Sequence, residues 1–278
     1  MARPHIEFIQ AQNLPWARGA AGPARPDCDA RILSRDGSTG ALSAILRYPA
    51  GWLRAAPESL AADEELFVLD GELEIGGKRY GRSDYACLPA GYPRANARAT
   101  SGAVVLTFLS GPAQVAAASG SHDQRKLVAH ISTETRPWGG TDDVGNPGLQ
   151  NSGVRTQWLR RDPDTGEESY LLAMLPWVEE RTESHPVVQE MFLLSGEITG
   201  GKVGVMQPGA YFWRPEDVVH GPFGSRTGNI VFMRAMGGKL TTQFFGREKL
   251  DYRAPHRPVL PPELQPYGGQ AVTGMLPY

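Results

Sequence analysis

The sequence predicts an all-β protein made of two tandem jelly-roll domains, and three observations carry that prediction. Thirty-three glycines and 23 prolines cut the 278 residues into short apolar segments, the punctuation expected of strands and turns. Almost no stretch sustains the period of an amphipathic helix. The third observation is an internal repeat. Leu33-Ser-Arg-Asp-Gly-Ser-Thr-Gly40 returns as Leu159-Arg-Arg-Asp-Pro-Asp-Thr-Gly166, and Leu66-Phe-Val-Leu-Asp-Gly71 returns as Met191-Phe-Leu-Leu-Ser-Gly196. Asp84-Tyr85-Ala-Cys-Leu-Pro89 returns as Ala210-Tyr211-Phe-Trp-Arg-Pro215, so that each block is displaced by 125 or 126 residues.

Taken in order, the first copy spans residues 1–120, with strand segments at Leu42-Ser-Ala-Ile-Leu-Arg-Tyr, Leu66-Phe-Val-Leu and Ala103-Val-Val-Leu-Thr-Phe-Leu. The second spans 121–250, with segments at Tyr170-Leu-Leu-Ala-Met-Leu, Glu190-Met-Phe-Leu-Leu and Asn229-Ile-Val-Phe-Met. Their spacing suits a jelly roll or small barrel. The small, polar run 111–123 reads as a connector. Residues 251–278 are proline-rich and read as an extended tail packed over a domain or a partner subunit.

Bulk properties narrow the function. A formal net charge of -2 provides no basic footprint for nucleic acid or an anionic membrane, which leaves a small molecule as the partner. No apolar run approaches the roughly 18 residues of a membrane helix, and the N-terminus lacks a signal pattern. Cys28 and Cys87 are isolated from each other in sequence, so they form neither a disulfide framework nor a thiolate metal set. Free thiols in a reducing, cytoplasmic setting are expected.

The chemistry concentrates in Glu183-Ser-His-Pro-Val-Val-Gln189, followed by an apolar strand that Ser195-Gly196 stops. Glu183, His185 and Gln189 are separated by even intervals, so on extended chain they share one face. His220 would complete a site of two imidazoles, a carboxylate and an amide. Two histidines with one carboxylate suit Fe(II), Mn(II), Ni(II) or Zn(II) and leave positions open for substrate. Gln189 is either a fourth, weak ligand or a hydrogen-bonding partner of a bound water. Met191, Tyr211, Trp213 and Phe232 have the alternation to line an apolar pocket, although simple core packing explains each as well. No general base is evident, since Glu190 faces away from Gln189.

Each repeat resembles a cupin domain, a family marked by a Gly-x5-His-x-His-x(3,4)-Glu-x6-Gly block and a Gly-x5-Pro-x-Gly-x2-His block. The second block stands here as Gly209-Ala-Tyr-Phe-Trp-Arg-Pro215-Glu-Asp217-Val-Val-His220, with Asp217 in place of a turn glycine. In the first block, Glu183-Ser-His185 occupies the two-histidine position and Gln189 the glutamate position. The resemblance implies ligand-type residues at all four places of the C-terminal copy. In the N-terminal copy it places Glu64 at the carboxylate position and Arg94 at the last histidine. An arginine stays protonated and cannot ligate a cation. That copy is expected to be metal-free, either covering its sister domain or binding an anion through Arg94.

Cupins host many chemistries. The overall pattern resembles bicupins related to ChrR-type and acetylacetone-dioxygenase-like cupins, which implies a mononuclear-metal dioxygenase acting on a small polar organic substrate. The domain plan also resembles that of ureidoglycine aminohydrolase, with His and Gln exchanged in the ligand set, which implies a hydrolase. A non-catalytic, metal-stiffened scaffold or sensor is the third reading. Cupins commonly pair through strand exchange, so a homodimer is expected.

Overall fold

The computed structural model describes residues 3–116, 121–139, 153–246, 248–270 and 276–278, so that parts of the expected connector (117–120) and tail (271–275) lie outside the described residues. The chain is nearly all β and divides into two compact units, Met1–Arg3 with Leu14–Arg136 and Pro4–Asn13 with Pro137–Tyr278. The division expected at residue 120 is displaced because Val128–Ser132 pairs antiparallel with Asp84–Leu88 of the first unit.

In the first unit, a seven-stranded sheet has Glu64–Gly71 between Asp84–Leu88 and Ala103–Leu109, and a four-stranded sheet is built on Leu73–Ile75 and Ala97–Ala99. Between these elements Leu46, Leu66, Val68, Tyr80 and Val105 form a buried core. The second unit repeats the plan. Its six-stranded sheet runs Ile6–Gln10, Ala210–Arg214, Val188–Gly196, Asn229–Met236, Glu168–Met174, Val154–Arg161, and a four-stranded sheet contains Val178–Glu180 and Phe223–Ser225.

Paired details support a duplication. Asp36 and Asp162 close the same turn, each accepting backbone N–H bonds on its carboxylate and, through its carbonyl, one from Gly40 or Gly166. Gly71 and Gly196 both have left-handed φ, +72° and +77°. A Cβ there would lie 2.2 Å from the Gly102 carbonyl oxygen and 2.0 Å from that of Gly228, so the sheet closes over a position only glycine fits.

The second unit takes its edge strand from the chain's beginning. Ile6 lies opposite Trp213 and Glu7 opposite Phe212. On the other side of that strand, Glu7 and Val259 exchange backbone hydrogen bonds at 2.7 and 2.5 Å. The edge is thereby paired rather than exposed. Cys28 and Cys87 are buried free thiols, and burial pushes the Cys28 thiol up to about 12.

Candidate metal centre

Glu183 lies in the short strand Glu183–Ser184, which pairs with Gln243–Phe244. Across from it, His220 joins Glu183 in an isolated antiparallel bridge, the N–H of each donating to the carbonyl of the other at 2.9 Å. Asp217, where the cupin motif has its glycine, adopts φ +61° and donates its N–H to the His185 carbonyl at 2.7 Å. Aspartate is among the few residues that visit this conformation at modest cost, so the turn survives the replacement.

Backbone carbonyls fix both imidazoles. His185 Nδ1 lies 3.0 Å from the Thr241 carbonyl oxygen and His220 Nδ1 lies 2.8 Å from that of Val218. A carbonyl only accepts, so each Nδ1 carries the proton and each Nε2 presents a lone pair. Both Nε2 atoms are buried without a hydrogen-bond partner. They lie 3.3 Å (His185) and 3.6 Å (His220) from Glu183 Oε1, and the three candidate ligand atoms fall within 4.8 Å of one another.

Three acceptors converging without a donor are costly in a buried site, and a divalent cation resolves that cost. Charge states agree. Burial pushes the Glu183 carboxyl up, and donation and positive charge from His185 and His220 in their protonated forms would bring it down to about 2; with neutral imidazoles that present lone pairs, a bound cation is the group that would hold it ionised. Burial, and then the charge of Arg214, push the His220 imidazole below its ordinary value, towards the neutral form a metal requires. This buried Glu-His-His group can therefore hold a metal ion.

The remaining expected residues divide. Gln189 shares the cavity, but its Oε1 accepts a 2.6 Å hydrogen bond from Arg214 Nη1. Its oxygen is committed to a guanidinium, which leaves Glu183, His185 and His220 as the converging set. Of the four pocket residues expected, Met191 lines the cavity, whereas Tyr211, Trp213 and Phe232 do not; the wall is made by Phe212, Arg214, Val231 and Met233 instead. Register explains the correction, because Gln189 lies opposite Arg214 and Met191 opposite Phe212 and Met233. Every residue of Ala210–Arg214 is buried. A strand covered on both faces carries no polar alternation from which its inward side could be read. Tyr211 instead donates to Glu190 Oε1 at 2.6 Å, on the face turned away from Gln189.

The cavity measures about 600 Å³ counted to its open mouth, with walls that include Tyr170, Leu172 and Phe223 and with Glu180 and Asn229 among its polar groups. The sequence reading missed three polar side chains. Arg214, 1% exposed, stacks 4.0 Å from the Phe212 ring. Glu7 accepts hydrogen bonds from Arg214 Nε at 2.9 Å and from Nη2. Burial pulls the Glu7 carboxyl up, yet Arg214 and then His5 bring it down to about 2. Glu180 faces the cavity with its carboxyl pushed up to about 8 by burial and by the charge of Glu183. Glu180 lies just ahead of the ligand run, but nothing in its spacing shows which way it faces.

The model of a domain of unknown function, DUF4437, matches residues 7–242. The chain belongs to the DUF4437 family. No curated protein matches it by sequence. By structure it is similar to a candidate dioxygenase from Nostoc punctiforme, with 18% identity and a TM-score of 0.77 over 88% of this chain and 92% of that one. It is also similar to salicylate 1,2-dioxygenase from Pseudaminobacter salicylatoxidans, with 12% identity and a TM-score of 0.58 over 86% and 88% of the two chains. A third likeness is to oxalate decarboxylase from Bacillus subtilis, with 11% identity and a TM-score of 0.55 over 86% and 79%. At these identities the likeness is one of fold, the cupin fold in two copies.

The N-terminal unit of this DUF4437 chain shows what the scaffold becomes without histidines. Glu58 and Arg94 form the bridge that Glu183 and His220 form in the other unit. Arg94 is fully buried and donates through Nη1 to Glu64, while its Nε and Nη2 have no partner. A second guanidinium, Arg25, lies 3.2 Å from Glu58 Oε1, 3.2 Å from the Tyr48 hydroxyl and 3.9 Å from Glu64 Oε2. Two cations thus balance two carboxylates in one buried cluster.

Proposed function

We propose that the protein is a metal-dependent bicupin enzyme with one mononuclear centre, and that it acts as a dioxygenase on a small organic substrate with a chelating polar end. One observation carries this reading. Glu183, His185 and His220 turn three lone-pair atoms into a cavity whose walls are mostly apolar. A bound Fe(II), Mn(II), Ni(II) or Zn(II) would supply Lewis acidity and, for the redox-active ions, a site for dioxygen. The chain's own residues orient the imidazoles through Thr241 and Val218, exclude water with Phe212, Phe223 and Met191, and hold the substrate body. Solved proteins of similar fold described as dioxygenases support the oxygenase reading.

The hydrolytic alternative draws support from Glu180. It places a second carboxyl on the cavity wall, a group able to accept and return a proton beside the metal site. Elemental analysis of purified protein should find about one transition-metal ion per chain; none, even after incubation with Fe(II), Mn(II), Ni(II) and Zn(II), would sink the metal-centre reading. Oxygen consumption with β-diketones and catechols, set against ammonia release from ureido acids, separates the two chemistries. Uptake of dioxygen without ammonia is the expected result. The small-molecule partner, the cytoplasmic setting and the homodimer belong to the same proposal, and sedimentation velocity tests the last.

A further inference from the structure

The cavity wall has one guanidinium among its described residues, Arg214. In a metal site, such a group is the natural clamp for a substrate carboxylate. Here its charge is already matched. Nε and Nη2 donate to the two oxygens of Glu7, Nη1 donates to Gln189 Oε1, and Phe212 and Phe223 stack at 4.0 and 5.6 Å. Arg214 is 1% exposed and Glu7 6%. Glu7 does not line the cavity but backs Arg214 from the edge strand Ile6–Gln10.

We propose that Glu7 is a specificity-determining residue: by holding Arg214 in a neutral buried pair, it restricts the cavity to chelating ligands that bring a single negative charge and disfavours those that add a carboxylate to an anionic donor. The inference rests on the metal-centre reading and deepens it. A divalent ion on Glu183 leaves one net positive charge, which a monoanionic chelate cancels. A ligand that brings a carboxylate and a phenolate adds a second negative charge. With Arg214 matched by Glu7, that charge has no buried counterion, a costly outcome in a water-excluded site. Glu180, a further titratable group on the wall, supplies no positive charge.

The test uses full-length protein loaded with Co(II), with tropolone as the monoanionic chelate and salicylate as its carboxylate-bearing counterpart of similar size. Binding is read from the visible absorption of the cobalt. For the wild type, tropolone should perturb the spectrum at concentrations at least about tenfold below those salicylate needs. In Glu7→Gln, salicylate should tighten by about tenfold or more while tropolone stays within about threefold. In Glu7→Gln/Arg214→Gln the gain should vanish. A second measurement needs no metal. Calorimetry with benzoate should show binding to metal-free Glu7→Gln and none to the metal-free wild type.

Salicylate binding to the wild type as tightly as tropolone would overturn the proposal, and so would a folded Glu7→Gln with no gain for salicylate or benzoate. Should Glu7→Gln fail to fold, the same salicylate, tropolone and benzoate comparisons with Glu7→Ala decide. A wild type that takes up no Co(II) would instead refute the metal-centre reading, and the benzoate comparison would still judge Glu7.

Discussion

His220 and Arg94 occupy the same backbone position in two copies of one motif, and the difference between an imidazole and a guanidinium decides which copy can hold a metal. That contrast is legible in sequence because the motif fixes the position and the side chain fixes the chemistry. Glu7 is not legible in this way. It lies more than two hundred residues from Arg214 in the chain, and no spacing rule couples an edge strand to the residue it backs. Its role yields a prediction with a definite sign. The folded-state value of about 2 lies below the ordinary 4.5, so the stabilisation is fully present above pH 4.5 and is lost as pH falls towards 2. Between pH 6 and pH 3 the wild type should lose about 2 kcal/mol from this group. Urea unfolding at both pH values, compared with Glu7→Gln, isolates it; equal losses in the two proteins would show that Glu7 is not held down by Arg214.

At the scale of elements, strand positions are largely legible, because glycine and proline mark their ends and the repeat cross-checks each copy. Which face of a strand points inward is not, wherever both faces are buried. Met191 could be placed because Gln189 shares its strand and its parity, whereas Tyr211 and Trp213 sit on a strand buried throughout, where only register separates inside from outside. The turn glycines carry a further prediction. Gly71 and Gly51 have nearly the same φ, +72° and +77°, but a Cβ at Gly51 meets nothing within 4 Å, whereas at Gly71 it would lie 2.2 Å from a carbonyl oxygen. Both positions lie in the same unit. Gly51→Ala should therefore cost only the conformational strain, about 1 kcal/mol, and Gly71→Ala about 3 kcal/mol or more. Equal costs in denaturant unfolding would mean that the strand relaxes away from Gly102 and that the close approach does not constrain the fold.

At the scale of the molecule, the two units solve one electrostatic problem in two ways. A barrel that buries carboxylates needs a cation. In the C-terminal unit the cation is the metal ion inferred from Glu183, His185 and His220, whereas in the N-terminal unit Arg25 and Arg94 are built into the chain beside Glu58 and Glu64. The sequence shows Arg94 through the motif, but Arg25 lies outside any motif position and reaches the cluster only through folding. If Arg25 does for one barrel what the metal does for the other, each should be removable with a local effect. Arg25→Met keeps an unbranched apolar stem but leaves two buried carboxylates facing one guanidinium, which should cost about 3 kcal/mol. Hydrogen exchange should then show faster exchange along Glu64–Gly71, with metal content still about one ion per chain, because Arg94 still bars a cation from that site. Treating the wild type with a chelator should instead speed exchange along Val188–Gly196 and around His220. Unchanged protection of Glu64–Gly71 in Arg25→Met, or a second metal ion bound by that variant, would show that Arg25 does not stand in for the metal.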